Sequence, residues 1–123
     1  MYRFAMLLPI LAFAMAAQVP SNLDSGNQGS ALFHDCRTTV RLLDGQTATA
    51  TESDFLDGTA CTAYIDGYTD GLADGIVCTH GASLGVLARV YVAYMQKNPK
   101  LLDEHKSRGV LLALRESYHC PAK

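Results

Sequence analysis

Four cysteines, Cys36, Cys61, Cys78 and Cys120, stand downstream of an amino-terminal export signal, and this pairing of features restricts the possible folds more than any other. The signal is read from Met1-Tyr2-Arg3, the apolar run Phe4 to Phe13 and the small residues Ala14-Met15-Ala16-Ala17. A positive end, a short hydrophobic stretch and a cleavage site follow in that order. The apolar run is shorter than the roughly 20 residues that cross a bilayer, no later segment is apolar enough to span, and no cysteine stands at the cleavage site to carry a lipid. The mature protein is therefore expected in the periplasm without a membrane anchor. In an oxidising compartment an even cysteine count reads as two disulfides. Cleavage after Ala16 or Ala17 leaves 107 or 106 residues, one small domain. Each bridge closing a few tens of residues adds about 3–4 kcal/mol in the chain-entropy model, comparable to the stability of such a domain. The expected organisation is a signal peptide at 1–17, a flexible leader at 18–29 and a helical domain at 30–123.

Apolar spacing gives four helices. Ser30 can cap the first, which carries Leu32, Phe33, Cys36, Val40 and Leu43 along one face and ends near Asp44-Gly45. Thr51-Glu52-Ser53-Asp54 supplies a cap with an acid three residues on, and Phe55 to Val77 then keeps a helical period through Leu56, Ala60, Cys61, Tyr64, Ile65, Tyr68 and Leu72. Ser83 can cap a third helix with Leu84, Leu87, Val90, Tyr91 and Tyr94. Asn98-Pro99 predicts a fourth from about Pro99 to Tyr118, since Asn is a favoured cap and Pro a favoured first helical residue. No segment alternates with the period of a strand. The fold class is all-α, a small four-helix domain with two disulfides.

Four cysteines allow three pairings. A short connection makes helices one and two an antiparallel hairpin, and Cys36 and Cys61 lie about equally far from a turn near Ala48 or Thr49. They become neighbours, which leaves Cys78 for Cys120.

Helix two contains Asp66-Gly67, Asp70-Gly71 and Asp74-Gly75, so aspartates and glycines each recur every four residues in adjacent stripes. A helical glycine costs about 1 kcal/mol relative to alanine. Three in register predict close approach of another backbone, either within the monomer or from a homodimer or partner. The acid stripe is offset by Arg37 and Arg41, or else is an exposed surface for a basic partner. Its spacing lacks the Asp-x-Asp-x-Asp-Gly of a calcium loop. Cys78-x-His80 and His119-Cys120 form a set zinc would accept if they converged, but oxidised cysteines cannot serve, as ligands or as nucleophiles. His34 and His105 have no catalytic motif around them and read as surface residues. Tyr64, Tyr68, Tyr91 and Tyr94 read as core. No phosphate loop, paired-histidine helix or serine elbow is present, and neither an enzyme nor a cofactor is expected. A formal charge of -2, or -3 without Arg3, favours neither nucleic acid nor an anionic membrane as partner.

From about Leu32 to Cys120 the sequence resembles the Rap1a/Tai family of periplasmic immunity proteins of type VI secretion. The resemblance is carried by Cys61 with Tyr64-Ile65-x-Gly67, by Cys78, by the helix Val86 to Met95, by Asn98-Pro99, and by Tyr118-His119-Cys120. It departs where family members commonly place a proline after the loop cysteine, because Thr79-His80-Gly81 follows Cys78 here. The family implies a protein, often dimeric, that neutralises a peptidoglycan amidase by covering its cleft. Contacts with the toxin are then expected at His80, Gly81 and Ser83 and along Asp66, Asp70 and Asp74. The competing reading is a periplasmic stress chaperone that opens on acidification, with His34, His80, His105 and His119 titrating.

Overall fold

The computed structural model describes residues 25–122. The signal peptide at 1–17 and most of the leader lie outside the described residues. Among the described residues four helices are defined: α1 (Gly29–Leu43), α2 (Glu52–Gly71), α3 (Leu84–Lys97) and α4 (Lys106–Ser117), with a 3-10 turn at Pro99–Asp103 before α4. Both bridges are those expected, Cys36 with Cys61 and Cys78 with Cys120.

Helix α1 is central, with α2 on one side and α3 on another, while α4 packs on α3 and α1. The core is built from the fully buried Cys36, Cys61, Ile65, Tyr91, Val110 and Leu114. Helices α1 and α2 approach closely because Gly58 has no side chain. A Cβ there would lie 3.4 Å from Leu42 Cδ1, and the Thr39 hydroxyl donates to the Gly58 carbonyl at 3.1 Å. Helix α3 runs antiparallel to α1, with Gly85 against Leu43 at one end and Met95 against Gly29 at the other.

The start of α2 follows the sequence closely. Thr51 Oγ1 accepts from the Asp54 N–H at 3.2 Å, and the Asp54 carboxylate accepts from the Thr51 N–H at 2.9 Å. That backbone hydrogen bond, before the nearby Arg41, holds the Asp54 carboxyl below its ordinary range. Ser83 likewise caps α3 by accepting from the Val86 N–H.

Three boundaries differ from expectation. Helix α1 starts at Gly29, not after Ser30, and no side chain caps it. Its first N–H donates instead to the Glu104 carbonyl at 2.7 Å, beside an antiparallel bridge between Gln28 and His105. Helix α2 ends at Gly71, not Val77. Its last turn has no basic residue to meet the carbonyl end of the helix dipole, and Asp66 and Asp70 oppose it. Asn98-Pro99 opens the 3-10 turn, and α4 begins only at Lys106, where His105 Nδ1 accepts from the Ser107 N–H.

Candidate functional site

The expected three-turn stripe is divided by the end of α2. Asp66 and Asp70 lie on the helix, whereas Asp74 and Gly75 form a turn in which Gly75 has φ +88°. All three aspartates are exposed. Arg41 is committed to Asp54 at 2.6 Å and Arg37 lies over the Phe33 ring, so neither offsets the stripe. The glycine reading needs a second correction. Among the described residues a Cβ on Gly67, Gly71 or Gly75 would meet nothing within 4 Å, so no described backbone of the same chain packs on them. Gly67→Ala is accordingly expected to stabilise the protein by about 1 kcal/mol, measured by urea unfolding of the oxidised form.

The 72–83 segment carries the other expected residues. It is fastened by the Cys78–Cys120 bridge and by the Cys78 N–H donating to the Tyr118 carbonyl at 2.8 Å. His80 and Gly81 are exposed at the tip of a turn closed by the Ala82 N–H and the Thr79 carbonyl. Both central residues have positive φ, 51° for His80 and 76° for Gly81. Glycine accepts this at no cost, but for His80 it is strained backbone, of the kind that concentrates at functional sites. Ser83 follows, and its hydroxyl is occupied as the α3 cap.

The histidines do not converge. His34 pairs with Asp57 at 3.3 Å across α1 and α2, with Asp35 beside them; the ligand atoms of the three lie within 4.8 Å. This is the pattern of a surface ion pair. Partial burial, then the Asp57 carboxylate, push the Asp35 pKa above the ordinary aspartate value, against weaker pulls from His34 and Lys106. The folded protein thus holds this proton more tightly than the unfolded chain does. The cost of ionised Asp35 vanishes as pH falls through the raised value. Asp35→Asn is expected to raise Tm by about 2–4 °C at pH 7, from a change on the order of 0.5 kcal/mol at a partly exposed site, and to change it little at pH 3. Calorimetry at the two pH values checks this.

Tyr91 is fully buried, with its hydroxyl donating to the Gly29 carbonyl at 3.3 Å, and burial pushes its pKa well up. Tyr64 and Tyr68 stack at 6.0 Å, with the Lys106 ammonium 4.6 Å above the Tyr64 ring. The tyrosines serve the core and its edge.

Sequence periodicity missed the apolar surface at the α1–α2 turn. Leu43 and Phe55 are each 54% exposed and Leu56 is 65% exposed. Leu43 and Phe55 line a groove of about 290 Å³ together with Leu42, Gly58, Thr59 and Thr62, among others, and Leu56 follows Phe55 in the chain. A signal was available: Leu56 precedes the bridged Cys61 by five residues, which puts them about 140° apart around a helix.

A family model, Rap1a immunity proteins, matches residues 28–120. The chain belongs to the Rap1a immunity protein family. The matched span opens at Gln28, where the chain pairs with His105, and closes at Cys120, the last bridged residue. The Rap1a unit and the disulfide-tied helical domain are thus the same piece of chain. No curated protein and no solved structure matches it. The two bridges of this Rap1a protein are compatible with export, and among the described residues no helix is long and apolar enough to cross a membrane.

Proposed function

We propose that this protein is exported to the periplasm, where it binds and inhibits a peptidoglycan-cleaving amidase delivered by type VI secretion, with no catalysis of its own. The observation that carries the reading is membership of an immunity family over the whole tied domain, residues 28–120. The amidase as target comes from the family resemblance. A disulfide-tied helical frame that presents the strained His80 with Gly81 and Ser83 on a fastened loop, and Asp66, Asp70 and Asp74, without an ion pair among the described residues, on and after α2, supports action by surface contact. The chaperone reading has less support: His34, His80, His105 and His119 are all exposed, so none is a buried neutral group whose protonation would force the fold open.

The test is a pull-down with the oxidised mature protein against secreted and periplasmic proteins of the producing bacterium, followed by an amidase assay. Retention of a cell-wall amidase that loses activity on adding this protein is the expected result. If no amidase is retained, and cells lacking the protein are no more sensitive to the toxin, the reading fails.

A further inference from the structure

The exposed face of α2 is a single strip that changes character along its length. Phe55, Thr59, Thr62, Asp66 and Asp70 follow one another at intervals of three and four residues, one side of a helix over about 22 Å. Its first half is less polar than its residue names suggest. The Thr59 hydroxyl donates to the Phe55 carbonyl at 2.8 Å, and the Thr62 hydroxyl lies 3.2 Å from the Gly58 carbonyl and 3.1 Å from that of Thr59. With their hydroxyls turned back on the helix, these threonines leave methyl groups beside Phe55 and Leu43. Gly58, buried against Leu42 and Thr39 of α1, is part of the groove's lining.

Carboxylates are in excess around this groove, with Arg41 and Arg89 each held by one of them. Residues 42–88 include seven carboxylates and no lysine or arginine. Those nearest the groove are already paired, Asp44 with Arg89, Asp54 with Arg41 and Asp57 with His34. Of the seven, Glu52, Asp66, Asp70 and Asp74 have no ion pair among the described residues, and the first three lie at the ends of the strip. Glu52 stands one turn before Phe55 and Leu56, and Asp66 and Asp70 follow Thr62. An apolar socket between free carboxylates fits an apolar side chain flanked by lysine or arginine.

We infer that the toxin is held on this strip, with one of its apolar side chains seated between Leu42, Leu43 and Phe55 and its basic residues along Glu52, Asp66 and Asp70. The inference rests on the immunity reading and adds the place and the chemistry of the contact. A second copy of the chain is the poorer occupant. Two-fold pairing would lay the same strip on itself and bring the Glu52 end of each copy against Asp66 and Asp70 of the other, acid against acid.

The amidase retained by the wild-type protein, once purified, is the probe. Its binding is measured for the wild type, for Phe55→Glu/Leu56→Glu and for Asp66→Lys/Asp70→Lys, with circular dichroism and thermal unfolding to show that these surface variants fold. The apolar pair is expected to lose at least 100-fold in affinity. The charge-reversed pair is expected to lose about tenfold or more, mainly in association rate, and to show a weaker salt dependence. A folded Phe55→Glu/Leu56→Glu protein that binds within threefold of wild type overturns the inference while leaving the immunity reading intact. So does a dimeric wild type that this variant converts to monomer with amidase binding unchanged, because a second copy then covers the strip. If the wild type retains no amidase and cells lacking it are no more sensitive to the toxin, the immunity reading fails and the toxin falls with it as occupant.

Discussion

Replacing both Cys36 and Cys61 by alanine is expected to lower the stability of the oxidised protein by about 4.5–5.5 kcal/mol and to leave it largely unfolded at 37 °C. About 3.5 kcal/mol of this follows from releasing a loop of 25 residues in the chain-entropy model. A further 1–2 kcal/mol, roughly, comes from emptying the space of two fully buried sulfurs, since a core does not collapse completely around a lost group. Losing Cys78 and Cys120 releases a longer loop, with a separation of 42 residues, and the same model gives about 4 kcal/mol. Those sulfurs are only half-buried, and the segment they fasten is peripheral, so local fraying absorbs part of the loss. Calorimetry of the two double variants should therefore place the Cys36/Cys61 pair lower in Tm. The reverse order would mean that the 72–83 segment is integral to the cooperative unit.

Gly29→Ala is expected to cost about 3 kcal/mol, although alanine is the better helix former by about 1 kcal/mol. The added Cβ would clash with the Leu101 carbonyl oxygen, which is backbone and cannot swing aside. Gly29 is also where several elements meet. Its N–H donates to the Glu104 carbonyl, its carbonyl accepts from Tyr91, and the Met95 side chain lies alongside. Moving the 3-10 turn to admit a methyl group disturbs all of these at once. Urea unfolding checks the effect, with Gly67→Ala as a comparison of opposite sign at a glycine with open space around it.

Interactions formed within a few residues were legible in the sequence. The Thr51–Asp54 box and the Ser83 cap involve partners three residues apart, and the Cys36–Cys61 bridge follows from the geometry of one hairpin. What escaped depends on segments distant in the chain. The start of α1 is set by Glu104 and His105, whose approach no local pattern announces. The Asn98-Pro99 pair did interrupt α3, but the backbone at Glu104 is extended so that Lys106 can donate to the Asn27 carbonyl, and this delays α4. Periodicity also took Leu56 as inward because α2 carries apolar residues on more than one side. Only the bridge at Cys61 fixes which side is inside. The aspartate–glycine stripe was conspicuous in sequence, but that it is cut by the end of α2 and that no described backbone of the same chain packs on it required coordinates.

The order of the two bridges along the chain matters for how the protein matures. The loop closed by Cys36 and Cys61 ends before the loop closed by Cys78 and Cys120 begins, so the two neither cross nor enclose one another. A chain entering an oxidising compartment amino end first presents its cysteines in pairing order. Oxidation of each pair as it emerges yields the native connectivity, without the thiol–disulfide exchange that a crossed arrangement would require.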